Sequence, residues 1–332
     1  MSNKKLKVGL YWAASCGGCE IAVLDINETV LQVIESVDIL FWPVAMDSKY
    51  ADIRAKEDGF FDAFFFNGSV RTEEQEELAH LFRQKSKLLI AFGSCAHEGC
   101  IPGLANLASR QEVFDRAYLS SPSTDNPDKI IPLKETEVKE GKLGLPGFHD
   151  RVKPLNQVVP VDYYLPGCPP PPDLIINAFT AIIKGKLPTK GTVLAPEHTL
   201  CEDCDRNPVR EKKMDRITDL LHTTPDQDKC FLEQGIICMG PVTRAGCGQR
   251  CINGNFPCQG CMGPPPGVSD MGAKMVSALA SIMNIDNEEG MSDDDVAKLM
   301  AKIRDPIGTF YMYNLPASIL GGRWIKDEKD TD

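Results

Sequence analysis

The stretch that decides the fold is "KVGLYWAASCGGCE", residues 7–20. Its first half is an apolar run of the length and composition of a strand buried on both faces. Just beyond it stand two cysteines, Cys16 and Cys19, parted by two glycines. A C-x2-C pair alone fits a redox dithiol, half of a zinc site or one corner of an iron–sulfur cluster. The residues around it have to choose.

Working outward, residues 5 to about 186 alternate between strand and helix. Strands are predicted over 5–12, 37–44, 62–69, 87–95 and 161–168. The first helix is predicted over 20–36, with Ile21, Leu24, Val30, Leu31 and Ile34 at roughly helical spacing. A second covers 72–82, with Thr72 as N-cap and acidic residues in its first turn. A third, over 171–186, opens on prolines and closes near Gly185. Continuous apolar strands separated by helices imply a parallel sheet covered on both faces. The expected fold is therefore α/β, a flavodoxin-like doubly wound sheet over residues 1–186. Residues 120–157, rich in Pro, Gly, Lys and Asp, read as a long surface insertion between the fourth and fifth strands. A cysteine loop stands where a nucleotide-binding fold of this kind would carry GxGxxG, so neither flavin nor nicotinamide is expected.

From about residue 187 the pattern changes. The segment "GPVTRAGCGQRCINGNFPCQGCMGPPPG", residues 240–267, is full of glycine and proline and has little apolar surface to bury for its length. Something other than an ordinary core must hold it. Residues 187–332 are expected to form an irregular, cysteine-rich domain with short helices over 269–283 and 292–303, the latter capped by Ser292.

Composition narrows the chemistry further. The 332 residues carry a net charge of −11, which disfavours nucleic-acid binding. No stretch reaches the roughly 18 to 20 apolar residues of a membrane span, and the N-terminus runs into its first strand without an export signal. A cytoplasmic location, with no membrane contact, is expected. Thirteen cysteines in such a chain point to reduced thiols bound to metal rather than to disulfides.

Their placement sharpens the point. Cys16 and Cys19 follow the first strand, Cys95 ends the fourth and Cys168 ends the fifth. All carboxyl ends of a parallel sheet face one edge, so these four thiols should meet at one rim. Gly17, Gly18, Gly93 and Gly167 would let the backbone approach and offer N–H groups to sulfur. A dithiol would leave Cys95 and Cys168 unexplained, whereas four thiolates suit zinc or an iron–sulfur cluster. The second half holds two more sets: Cys201, Cys204, Cys230 and Cys238, then Cys247, Cys251, Cys258 and Cys261, spaced C-x3-C-x6-C-x2-C. Two structural zinc sites are the alternative for these eight. Three four-thiol sets in one chain read better as an electron wire. Cys100 is left over, as a structural or core thiol or one placed beside the ligands.

The ordered motifs "CGGCE", "GSCA", "PGCPP", "GPVT…C" and "PCQGC" resemble the small subunit of nickel–iron hydrogenases, from residue 6 to about 266. The resemblance is closest to the cytoplasmic, methyl-viologen-reducing type that partners heterodisulfide reductase. It implies three [4Fe–4S] clusters. Cys16, Cys19, Cys95 and Cys168 would hold the proximal one. Cys247, Cys258 and Cys261 match medial ligands. Cys251 stands where many exported relatives have proline and only three irons, so a full medial cluster is implied. The distal pattern of those relatives begins with histidine. Here Cys201 takes that place, with Cys204, Cys230 and Cys238. His198 also lies three residues before a cysteine, but using it would strand Cys204, so it is read as a residue beside the cluster. The nickel–iron centre would lie on a partner large subunit, since large subunits hold it with two C-x2-C pairs near opposite ends of the chain and "GGRWIKDEKDTD", residues 321–332 here, has no cysteine. A further iron–sulfur subunit and heterodisulfide reductase would lie downstream. Glu20 reads as a carboxylate at a positive helix end, with proton relay as its functional option. The alternative reading is an electron relay in a related complex whose large subunit has no working nickel site.

Overall fold

The computed structural model describes residues 5–207, 212–218, 220–283 and 292–321. In chain order the strands are β1 (Leu6–Trp12), β2 (Val37–Phe41), β3 (Phe61–Asn67), β4 (Val70–Thr72), β5 (Ser86–Phe92), β6 (Glu135–Val138), β7 (Gly141–Gly144), β8 (Phe148–Lys153) and β9 (Tyr163–Leu165). The first-half helices are α1 (Gly18–Leu24), α2 (Thr29–Ser36), α3 (Tyr50–Arg54), α4 (Glu73–Lys85), α5 (Ser94–Glu98), α6 (Arg110–Phe114) and α7 (Pro172–Ile183). The second half adds α8 (Leu200–Asp203), α9 (Arg250–Asn253), α10 (Met271–Ile282), α11 (Asp293–Met300) and α12 (Pro306–Phe310).

Five strands form one sheet in the order β2-β1-β3-β5-β9, and every pairing is parallel. Counted along the chain these run 2-1-3-4-5, the flavodoxin-like order, with the reversal between β1 and β3. Alternate residues feed opposite layers. Val8, Leu10, Phe65, Ile90 and Phe92 pack with α1, α2 and α7. Tyr11, Phe64, Phe66, Leu89 and Ala91 pack with Leu78 and Phe82 of α4. Phe64 and Phe82 stack with ring centroids 4.3 Å apart. Burial on both faces is why these strands read as unbroken apolar runs. The expected cap at Thr72 forms a capping box, its hydroxyl accepting from the Gln75 N–H while the Gln75 side chain accepts at the N-cap.

The expected helix over 20–36 is instead two helices, broken between Leu24 and Thr29 where Asn27 takes φ +52°. Its apolar stripe points outward: Ile21 is 62%, Leu24 59% and Leu31 58% exposed. The register of α1 explains this. Cys19 and Glu20 are buried at its start, which turns Ala22 and Val23 inward and Ile21 and Leu24 outward.

The long insertion ends in β8, which pairs antiparallel with β4, while the β6–β7 hairpin lies fully exposed. The second half has a core of its own, in which Phe231, Met239, Met271, Met275 and Phe310 surround Cys230, Cys238 and Cys258. Both expected late helices are present, and α11 starts directly after Ser292. Residues 305–321 return to the first half: Cys100 N–H donates to the Tyr313 carbonyl at 3.0 Å and Gln157 Nε2 to the Pro316 carbonyl at 2.9 Å. Among the described residues no helix is long and apolar enough to cross a membrane.

Candidate metal centres

The first site grows out of the carboxyl edge of the sheet. After β1, the Ala13 N–H donates to the Asn67 carbonyl at 2.7 Å, and Ala14 and Ser69 exchange backbone bonds. The loop that carries Cys16 and leads into Cys19 of α1 is thereby tied beside the end of β3, at the point where the strand order reverses. On the other side, Gly93 N–H donates to Leu165 O at 2.8 Å and Ser94 N–H to Gly167 O at 2.9 Å, joining the start of α5, which carries Cys95, to the loop that carries Cys168. Gly93 admits no side chain. It holds φ +83°, and a Cβ there would fall 2.3 Å from Cys19 Sγ.

The structure thus brings Cys16, Cys19, Cys95 and Cys168 together. Burial pushes the Cys19 thiol up, and the thiols of Cys95, Cys168 and Cys16 push it further. Cys168 moves the other way, drawn down to about 7 by the hydrogen bond from Cys100 and opposed by burial. Buried thiols crowded in this way become thiolates together only around a positively charged centre.

Glu20, next to Cys19, is buried rather than solvated. Its carboxylate accepts from Trp42 Nε1 and from Asn67 Nδ2, the latter at 3.2 Å. Burial raises its pKa, partly offset by those two bonds.

In the second half, a capping box between Thr199 and Glu202 starts α8 and turns Cys201 toward Cys238, Cys230 and Cys204. Burial is the first cause that raises the Cys201 thiol, with these three sulfurs behind it. Lys212 faces the same group and opposes the rise, and its buried Nζ has no hydrogen-bond partner. His198 is held elsewhere, with Nε2 2.7 Å from Asp203 Oδ1.

Four of the five remaining cysteines, Cys247, Cys251, Cys258 and Cys261, line a cavity of about 330 Å³ whose wall also includes Cys168. Burial lifts the Cys261 thiol to about 12, with Cys247 and Cys251 adding to the rise. This space suits a polyatomic group rather than a single ion, since one water occupies about 30 Å³ in the liquid. Tetrahedral zinc would draw four sulfurs to about 3.8 Å from one another, given Zn–S near 2.3 Å. Among the described residues, no three His, Cys, Asp or Glu side chains are gathered closely enough to hold one ion.

The three groups adjoin in order. Cys168 lines the same cavity as Cys247, Cys251, Cys258 and Cys261. The Cys258 N–H donates to Cys238 Sγ at 3.3 Å. The rim group therefore meets the Cys247–Cys261 group, which meets the Cys201–Cys238 group.

Sequence reasoning passed over one buried ionisable pair. His97 Nε2 lies 3.2 Å from Glu98 Oε1 in α5, beneath Gly263 of the second half. Burial, aided by the Arg244 charge, pulls His97 down to about 3. Burial lifts Glu98 to about 8, against Arg244. At neutral pH both are uncharged. The only signal was "HE" one residue beyond a cysteine that ends a strand.

Comparison with known proteins then places the chain. The family model described as NADH ubiquinone oxidoreductase, 20 Kd subunit, matches residues 16–182, spanning the rim cysteines. The iron–sulfur subunit of the F420-non-reducing hydrogenase of Archaeoglobus profundus is 39% identical, over 97% of this chain and 99% of that one. The corresponding F420-non-reducing hydrogenase subunit of Methanothermobacter thermautotrophicus is 37% identical, over 98% and 99%. A chain of the [NiFeSe] hydrogenase of Desulfovibrio vulgaris Hildenborough shares the fold, with TM-score 0.50 and 18% identity over 80% of this chain and 96% of its own. Similar to the two archaeal subunits across nearly their full length, and with its cysteines gathered at the sheet rim, the chain belongs to the family of hydrogenase small subunits.

Proposed function

We propose that this chain conducts electrons from hydrogen oxidation on a partner large subunit through three [4Fe–4S] clusters to a downstream iron–sulfur subunit and heterodisulfide reductase. Cys16, Cys19, Cys95 and Cys168 hold the proximal cluster in this reading. Cys247, Cys251, Cys258 and Cys261 hold the medial one, and Cys201, Cys204, Cys230 and Cys238 the distal one. The observation that carries it is the succession of three cysteine groups, with Cys168 on the wall of the cavity lined by Cys247 to Cys261 and the Cys258 N–H donating to Cys238 Sγ.

The clusters supply one-electron acceptance and donation without large atomic movement. The chain's residues do the rest. Peptide N–H groups aimed at sulfur stabilise negative charge there, and apolar packing around Cys230, Cys238 and Cys258 keeps water out. Exposed Cys16, with Trp12, Ile21 and Leu24 exposed nearby in sequence, supports docking of the large subunit at the rim. The nickel–iron centre belongs to that partner. The acidic surface supports a cytoplasmic complex without nucleic acid or membrane.

Anaerobic purification with the native partners tests the reading by iron, sulfide and nickel assay, and by spin resonance of the reduced state. About twelve irons with matching sulfide on this chain are expected from three four-iron clusters. A yield near four would overturn the three-cluster assignment. Intact clusters without hydrogen-dependent dye reduction would favour a relay whose large subunit has no working nickel site.

A further inference from the structure

Cys100 stands outside the three groups of four, yet its environment is more specialised than that of a space-filling thiol. It is wholly buried. Its Sγ donates to Cys168 Sγ at 3.8 Å, and Cys95 is its other sulfur neighbour. Its backbone has φ +45° and ψ −149°, a conformation that non-glycine residues rarely adopt.

Three separate parts of the chain hold that conformation. The Ser69 hydroxyl, after β3, faces the carbonyls of Cys95 and Gly99 at 3.0 and 2.9 Å. The Cys100 N–H donates to Tyr313 O at 3.0 Å. Pro316 packs on Gly99, where a Cβ would fall 2.4 Å from its ring. A residue that merely filled the core would need neither the strained backbone nor a sulfur acceptor. The returning segment 305–321 therefore aims this thiol.

We propose that Cys100 is a fixed S–H donor, not a ligand, whose hydrogen bond to the Cys168 sulfur raises the reduction potential of the proximal cluster. The inference rests on the reading that Cys95 and Cys168 hold that cluster. Reduction adds one electron and with it negative charge on the coordinating sulfurs. A donor aimed at one of them stabilises the reduced state more than the oxidised one. No proton moves: the hydrogen stays on Cys100 in both states, so the effect is independent of pH.

The test uses the holo complex and the variants Cys100→Ala and Cys100→Ser. Cys100→Ala should keep its full iron and sulfide yet reduce less readily. The expected change in the one-electron equilibrium constant is roughly tenfold, equal to about 59 mV, in potentiometric titration followed by spin resonance. That shift should be the same at each pH, and Cys100→Ser should recover part of it through its O–H. In the wild-type protein, electron–nuclear double resonance of the reduced proximal cluster should show an exchangeable sulfur-bound proton, lost in deuterium oxide and in Cys100→Ala. An unchanged proximal potential, or the lack of that proton in the wild type, would overturn the proposal. Loss of iron in Cys100→Ala would make Cys100 a ligand and overturn it equally. Cys168→Ala separates the underlying reading: full iron there would remove the proximal assignment itself.

Discussion

The cysteines at the sheet rim and the eight beyond residue 200 are held by opposite means. At the rim, Cys16 and Cys168 ride on loops and Cys19 and Cys95 on the first turns of α1 and α5, all just beyond the ends of β1, β5 and β9, over two packed layers of side chains. In the second half the cysteines ride on α8 and α9, four residues each, and on irregular turns. Helices of that length have no stability of their own, and Cys230, Cys238 and Cys258 are themselves members of the local core. In one region the fold places the thiols. In the other the thiols, with what they bind, help to place the fold. Removing iron with a chelator under reducing conditions is the strongest way to break this contrast. Hydrogen exchange should lose its protection across residues 199–262 while β1, β3 and β5 stay protected. Simultaneous loss in both regions would show that the rim also depends on its metal.

A narrower change attacks the rim alone. Gly93→Ala puts a methyl 2.3 Å from Cys19 Sγ at a residue with φ +83°, so the cysteine must move or the loop must open. About four irons should be lost, and the signals of the other two clusters should remain. The sheet should melt within a few degrees of the wild type, because the change lies beyond β5 and meets the packed layers only at their edge, through Cys19. Retention of all iron would mean that the rim group is looser than its packing indicates.

What the sequence showed follows the same division. The five strands, the Thr72 cap and the rim were legible because parallel topology converts strand ends into neighbours, whatever the details of packing. The break in the first helix was not legible. Ile21, Leu24, Leu31 and Ile34 have the spacing of a buried stripe, but the inward turn of Cys19 and Glu20 sets the register instead. The order of the second-half cysteine groups was not legible from spacing either. It depends on contacts such as Cys258 N–H to Cys238 Sγ, between residues twenty apart across irregular chain. The backbone acceptor of Cys100, the Tyr313 carbonyl, was equally hidden, since it is brought in by residues 305–321 folding back.

The pair His97–Glu98 lies at the seam between the two regions, with α5 on one side and Arg244 and Gly263 on the other. It therefore reports on how firmly the regions are joined. Glu98 moves from an ordinary 4.5 up to about 8, so between these values the folded state binds a proton that the unfolded state lacks. Its contribution is full below pH 4.5 and is lost as pH rises toward 8. His97 moves from 6.5 down to about 3, so its contribution runs the other way, growing as pH rises and complete above 6.5. The two slopes cancel from about pH 4.5 to 6.5, where this pair leaves stability flat. Above 6.5 only the Glu98 term remains, and about 2 kcal/mol should be lost by pH 8, at 1.36 kcal/mol per pH unit. Glu98→Gln should remove that alkaline loss, measured as the difference between wild-type and variant denaturation midpoints at pH 6.5 and 8. A parallel fall in both proteins would place the carboxyl in contact with water and leave the seam to other contacts, such as the Ser94 hydroxyl donating to the Cys261 carbonyl.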